Sequence, residues 1–253
     1  MDLSFFLPFE LLPWQWAAWI TLGIFIGMTK AGLSGLTSVI VPIIAMIFGA
    51  RNSTGLILPL LCIADVIAVL YYRRHAEWKY IVRLLPWTLA GFGLAIFIDR
   101  LVPVQAFRYL IGGSIIASVI VMIWSDLRMR DKAPPSAWWF SALFGLAGGF
   151  ATLVGNVAGP IMAVFLLSMR LPKNNYIGTS AQFFMIVNSL KLPIMIFLWK
   201  NITLEGFLFD LTLVPVILFG AVFGIFIVKK IPEKVFRKVI MILTLVSTVL
   251  LFI

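Results

Sequence analysis

PWTLAGFGLAIFIDRLVPVQAFR at 86–108 and PVILFGAVFGIFIVKKIPEKVFR at 215–237 agree at nine of 23 positions, among them Pro86/Pro215, Gly91/Gly220, Phe97-Ile98/Phe226-Ile227, Pro103/Pro232 and Phe107-Arg108/Phe236-Arg237. Upstream, Asn52, Gly55 and Asp65 pair in the same order with Asn175, Gly178 and Asn188. An internal repeat therefore covers most of each half. The surrounding chain is 62% hydrophobic and 12% charged, with apolar runs along its whole length, which predicts an all-α integral membrane protein. Duplication within such a chain is typical of secondary transporters.

Apolar stretches at about 14–28, 33–50, 54–72, 80–98, 104–124, 138–154, 158–169, 175–199, 207–228 and 235–253 predict ten membrane segments, five per half. The halves, 1–130 and 131–253, form one membrane domain and join at the polar link 125–136, which holds Arg128, Arg130, Lys132 and Pro134-Pro135. When the connections are numbered alternately, fifteen of the 20 Lys and Arg residues fall on one side. The other side holds Arg51, Arg100, Arg108 and Lys200, while Lys191 lies inside a segment. The positive-inside rule makes the rich side cytoplasmic and both termini periplasmic. An odd number of segments per half reverses the sense of the second half, so the repeat is inverted.

The same charge asymmetry accounts for the formal charge of +10 without nucleic acid. Cys62 is the single cysteine, and no Cys/His spacing suggests a metal. No metal, cofactor or catalytic residue is expected. The N-terminus lacks the basic start of a signal peptide and is expected to be retained.

Two segments are short or interrupted at matching positions. Residues 158–169 are too few to cross a hydrocarbon core of about 30 Å at about 1.5 Å per residue, and the 14–50 region is broken at 28–35. Short, Gly/Pro-interrupted segments in corresponding places mark a transporter's binding site. Helix starts inside the membrane would offer unpaired N–H groups and a partial positive charge to an anion. Either broken spans or re-entrant hairpins fit the sidedness count.

Lys30 leads into Gly32-Leu33-Ser34-Gly35, the expected opening turn of the second segment, with Ser34 as its cap. It reads either as an anion-binding cation or as a loop lysine reaching headgroups. Lys191, inside a 25-residue apolar segment, reads as functional, as half of a structural ion pair or as a snorkelling lysine about two turns from the segment end, because an intramembrane lysine is costly unless paired or wetted. Asp65, whose repeat partner is Asn188, is a candidate for proton or cation coupling or for a fixed salt bridge with Lys30 or Lys191. Gly155, Asn156 and Gly159 in the second break, and Thr179, Ser180, Gln182 and Asn188 along segment eight, complete the candidate substrate site. His75, in a basic loop, reads as solvated. Trp14, Trp16, Trp19, Trp78, Trp138, Trp139 and Trp199 read as interfacial belts.

Gly27-Met-Thr-Lys30-Ala-Gly-Leu-Ser-Gly35 with Val41-Pro42, and Gly155-Asn-Val-Ala-Gly159-Pro160 with Leu171-Pro-Lys173, Gly178-Thr-Ser-Ala181 and Asn188-Ser-Leu-Lys191-Leu-Pro193, resemble the TauE/SafE family of sulfite and organosulfonate exporters over nearly the whole chain. The resemblance implies a bacterial inner-membrane carrier exporting sulfite, sulfoacetate, thiosulfate or a similar small anion. Its partners would be the bilayer, that sulfur oxyanion or sulfonate, and a proton or cation co-substrate; an oligomer is compatible with it. A passive anion channel and a membrane scaffold remain alternatives. An intramembrane enzyme or an ATP-driven pump finds no motif here: HExxH, a Ser/His pair within spans, paired aspartates and a phosphate-binding Gly-Lys-Ser/Thr loop are all missing from the sequence.

Overall fold

The computed structural model describes residue 9 and residues 11–33, 36–99 and 137–250. The expected fifth segment, the 125–136 link with its half boundary, and Ser34 and Gly35 lie outside the described residues. Every regular element among those described is helical.

Helix α1 (Pro13–Thr29) starts with proline in its first turn, where a missing N–H costs no hydrogen bond. Gln15 Oε1 accepts from Leu12 N at 2.8 Å to close the cap. The helix ends at Lys30, and Gly32 at φ 106° turns the chain. Helix α2 (Thr37–Phe48) follows with Leu36 at its cap position and no side-chain cap. A single residue, Gly49 at φ 81°, separates α2 from α3 (Ala50–Tyr72). A short 3₁₀ turn, Arg73–His75, leads to α4 (Trp78–Asp99).

In the second half, α5 (Trp138–Gly155) ends on Asn156 in the left-handed region at φ 56°, a conformation asparagine tolerates better than most residues. Helix α6 (Gly159–Ser168) has ten residues, all buried, with Pro160 in its first turn. Helix α7 (Lys173–Pro193) continues into a π turn, Ile194–Leu198, directly after its proline.

The expected ninth segment is two helices, α8 (Leu204–Leu211) and α9 (Val214–Lys230), bent by 54°. Pro215 cannot donate the next helical hydrogen bond. Leu213 N instead returns to Asp210 O at 3.0 Å, and Thr212 Oγ1 donates to Phe209 O at 2.6 Å. Helix α10 (Glu233–Leu250) completes the described chain.

Four helical stretches, Asn52–His75, Trp78–Ile98, Trp138–Gly155 and Lys173–Leu198, are long and apolar enough to span a membrane, and the bent α8–α9 pair makes a fifth. Helices α2 and α6, at 12 and 10 residues, reach only about half of a ~30 Å core. Large apolar side chains such as Leu70, Phe97 and Phe197 stand exposed on the outer faces, as lipid contact requires.

The most extensive packing joins α1 to α9 and α4 to α5, with α3 against α7 between them. Without a hydrophobic drive between helices in lipid, close approach depends on small residues. The repeat pair Gly91 and Gly220 supplies it. A Cβ on Gly220 would collide with the Ile24 backbone of α1, and one on Gly91 with Leu146 O and Phe150 N of α5. Gly27 and Gly149 answer from the facing helices, against Ile217 O and Thr88 O. Lys173, in the family-like Leu171-Pro-Lys173 stretch, caps the end of α9 by donating to Val228 O at 3.0 Å and Ile231 O at 2.7 Å. Trp14, Trp78, Trp138 and Trp139 are exposed, as a belt requires, but Trp19 is fully buried and stacks on Phe209 at 5.4 Å. Trp19 is a core residue because α8 folds back over it.

These contacts set an expected stability pattern. Gly220→Leu and Gly149→Leu should each lose roughly 1–3 kcal/mol or more through overpacking, read as a lower thermal midpoint in detergent. Gly93→Leu, where an added Cβ meets nothing within 4 Å, should leave the midpoint unchanged. Equal tolerance at all three positions would contradict backbone-to-backbone packing.

Candidate functional site

A buried cavity lies where α1, α2, α3, α5, α6 and α7 converge. Its lining is Thr29, Lys30, Thr37, Leu61, Thr152, Asn156, Gly159, Ser180, Ala181, Phe184 and Asn188. Thr37 and Gly159 are the first residues of the two short helices, so both partial positive helix ends open onto it. Lys30 and Asn156, from the two breaks, share this one space.

Charge enters through two lysines that are treated differently. Lys30 Nζ, on a side chain 9% exposed, sits 2.7 Å from Asp65 Oδ1 and 5.2 Å from the centre of the Phe184 ring. Of the two lysines weighed as Asp65's ion-pair partner, Lys30 is the one at contact distance. Asn188 Nδ2 donates to Asp65 Oδ2 at 2.7 Å, so the repeat-related Asp65 and Asn188 touch each other. Oδ1 of the buried Asn188 has no hydrogen-bond partner among the described residues.

Lys191 is fully buried, and among the described residues its hydrogen-bond partners are neutral: it donates to Thr152 Oγ1 at 3.1 Å and to Asn156 Oδ1. The left-handed turn at Asn156 ends α5 and positions that amide, whose Nδ2 donates to Thr54 O at 3.3 Å.

Five of the expected site residues, Lys30, Asn156, Gly159, Ser180 and Asn188, line the cavity, and Lys191 and Asp65 bond directly to that lining. Gly32, Gly155, Thr179 and Gln182 lie away from it. Gly32 faces Ile177 and Phe236, and Gly155 ends α5 outside the lining. Gln182 is half-buried on another face of α7, and Thr179 Oγ1 accepts instead from Glu77 N at 2.9 Å. Thr29, Thr37 and Thr152 were not among the expected residues. Asp210 was missed too: it is fully buried, and neither carboxylate oxygen has a hydrogen-bond partner among the described residues.

Similar closures stand at the starts of α7 and α3. The turn after α3 packs on α7: a Cβ on Gly178 would sit 2.7 Å from Tyr72 O, and Asn175 Nδ2 donates to Glu77 Oε1 at 2.9 Å. The loop after α7 packs on α3 in the same manner: a Cβ on Gly55 would overlap Asn201 O, and Asn201 Nδ2 donates to Thr54 Oγ1 at 2.9 Å. A second cavity of about 230 Å³ lies beside this latter closure, between Asn52, Asn201 and Glu205. The central cavity is only about 20 Å³, on the scale of one ordered water.

The sulfite exporter TauE/SafE family matches this chain over residues 19–251 of 253. No curated protein and no solved structure matches it.

The ion pair makes its own thermodynamic prediction. Asp65→Leu alone should destabilise the folded chain by roughly 3–5 kcal/mol, because Lys30 is left inside without its counter-charge. The double variant Lys30→Met/Asp65→Leu should recover most of that loss in detergent unfolding. Strictly additive effects would contradict a direct interaction.

Proposed function

We propose, from the premise that the chain belongs to the sulfite exporter TauE/SafE family, that it is a secondary transporter exporting small sulfur-containing anions by alternating access. Membership and the apolar helices make it a membrane transporter of the sulfur-anion class. The finer reading places it in a bacterial inner membrane with periplasmic termini, as ten segments in two inverted repeats, 1–130 and 131–253. The reciprocal glycine contacts of α1/α9 and α4/α5, and the Asp65–Asn188 contact between repeat-related positions, support that arrangement.

One observation carries the functional reading: Lys191 is buried, with no acidic partner bonded to it among the described residues, beside a cavity onto which two helix N-termini open. Oxyanions suit such a place because N–H donors and an ammonium reward oxygen acceptors. A sulfite or sulfonate would accept from Lys191, from the Gly159 end of α6 and from Ser180 and Asn188, with Lys30 at its other side. Asp65 is the coupling residue in this reading, since a proton or cation arriving there would release Lys30 to the anion. We read the ion pairing and hydrogen bonding at this cavity as serving transport, in keeping with the family.

The cavity volume favours a carrier over an open channel. A sulfonate head is larger than a water and cannot enter without movement, and the two closures offer the moving parts. Opening the 72–77 turn from α7 would expose the site to one face, and opening the 199–203 loop from α3 would expose it to the other.

Lys191→Gln in proteoliposomes should abolish saturable sulfite counterflow while the protein keeps its wild-type elution profile and helicity. Labelled sulfite should accumulate against unlabelled internal sulfite in the wild type. Unchanged kinetics in Lys191→Gln would overturn the assignment, and ohmic anion current without counterflow would show a channel.

A further inference from the structure

We infer that the site is charge-matched to a monoanion, and that Asp65 sets this match by cancelling one of the cavity's two lysines. The inference rests on reading the cavity as the anion site. Among the described residues, the charged side chains placed there are Lys30 in the lining, and Asp65 and Lys191 bonded to it. Asp65 lies 2.7 Å from Lys30 and is fully buried, so those two formal charges offset each other at contact distance. Lys191 has Thr152 and Asn156, both neutral, as its bonded partners. One positive charge is left for the substrate.

In an interior of low dielectric, an unbalanced charge is expensive in either direction. A monoanion brings the group of charges to neutrality. A dianion leaves one negative charge unmatched beside Asp65, and the mismatch rejects it even where its size and oxygens fit, which favours hydrogensulfite and simple sulfonates over the dianions thiosulfate and sulfoacetate. The neutral twin of Asp65 gives the device its asymmetry: Asn188, from the other half, holds the carboxylate through Nδ2 without adding charge. Had both positions been acidic, the cavity would carry no net positive charge.

Hydrogen bonding alone would predict the opposite order. A dianion is the stronger acceptor, and the cavity is rich in donors: Ser180, the Gly159 end of α6 and Lys191. Charge balance and donor strength therefore make opposing predictions, which an experiment separates.

The test uses two probes whose charges do not change near neutral pH, methanesulfonate and sulfate, with purified full-length protein. Binding is read by isothermal titration at constant ionic strength, and transport by counterflow in proteoliposomes. The wild type should prefer methanesulfonate by at least about tenfold. Asp65→Asn, which removes one negative charge at nearly constant shape, should reverse or erase that preference by admitting sulfate. Lys30→Gln/Asp65→Asn restores a single positive charge and should restore the methanesulfonate preference. Equal or tighter sulfate binding by the wild type overturns the inference, as does an unaltered preference in folded Asp65→Asn. Selective binding without counterflow would leave the charge match standing and remove the carrier reading. Counterflow that accepts both anions equally would do the reverse.

Discussion

A lysine ammonium inside an apolar helix bundle must be compensated, and the way Lys191 is compensated organises the rest of this site. Among the described residues its bonded partners are Thr152 and Asn156, neither of them a carboxylate. Both come from the end of α5, so that helix must stop where it does and Asn156 must adopt its left-handed turn. The turn then starts the short α6, whose first residue, Gly159, reaches the same cavity. The charge, the helix end and the cavity thus form one construction.

Its counterpart in the first half has the same layout with the opposite electrostatic solution. Helix α1 ends at Lys30, the chain turns at Gly32, and the short α2 brings Thr37 to the cavity. Here the ammonium is matched by Asp65 of α3. The two long helices that carry Asp65 and Asn188 are themselves packed together, and these two side chains bond directly. Duplication supplies the frame, and divergence at one position, acid in one half and amide in the other, gives the frame its polarity. Glycines hold it: Gly91 and Gly220 draw the outer helices against α5 and α1 at backbone distance.

Much of this was legible in the sequence where energetic cost makes a residue conspicuous. Lys191 stands in a long apolar run, Asp65 in another, and the two glycine-rich breaks match across the halves; all four features meet at one cavity. What was not legible turns on rotation and bending. Thr179 and Ser180 are neighbours in sequence, but about 100° of helix rotation separates them, sending one to the Glu77 backbone and the other to the cavity. Thr152 looked like any helix threonine, as Thr29 does in bonding back to Ile26 O, and only the fold brings it to Lys191. The bend before Pro215 was masked by a continuous apolar pattern, and with it went Trp19, which became a core residue, and Asp210, a carboxylate inside the 207–228 apolar stretch.

The most direct measurement is the position of a bound anion that scatters anomalously. In crystals grown with selenite, the selenium peak should lie between Lys30 and Lys191, within hydrogen-bond reach of Lys191 Nζ and the first turn of α6. A peak confined to the cavity beside Asn52, Asn201 and Glu205, with none at Lys191, would contradict the account.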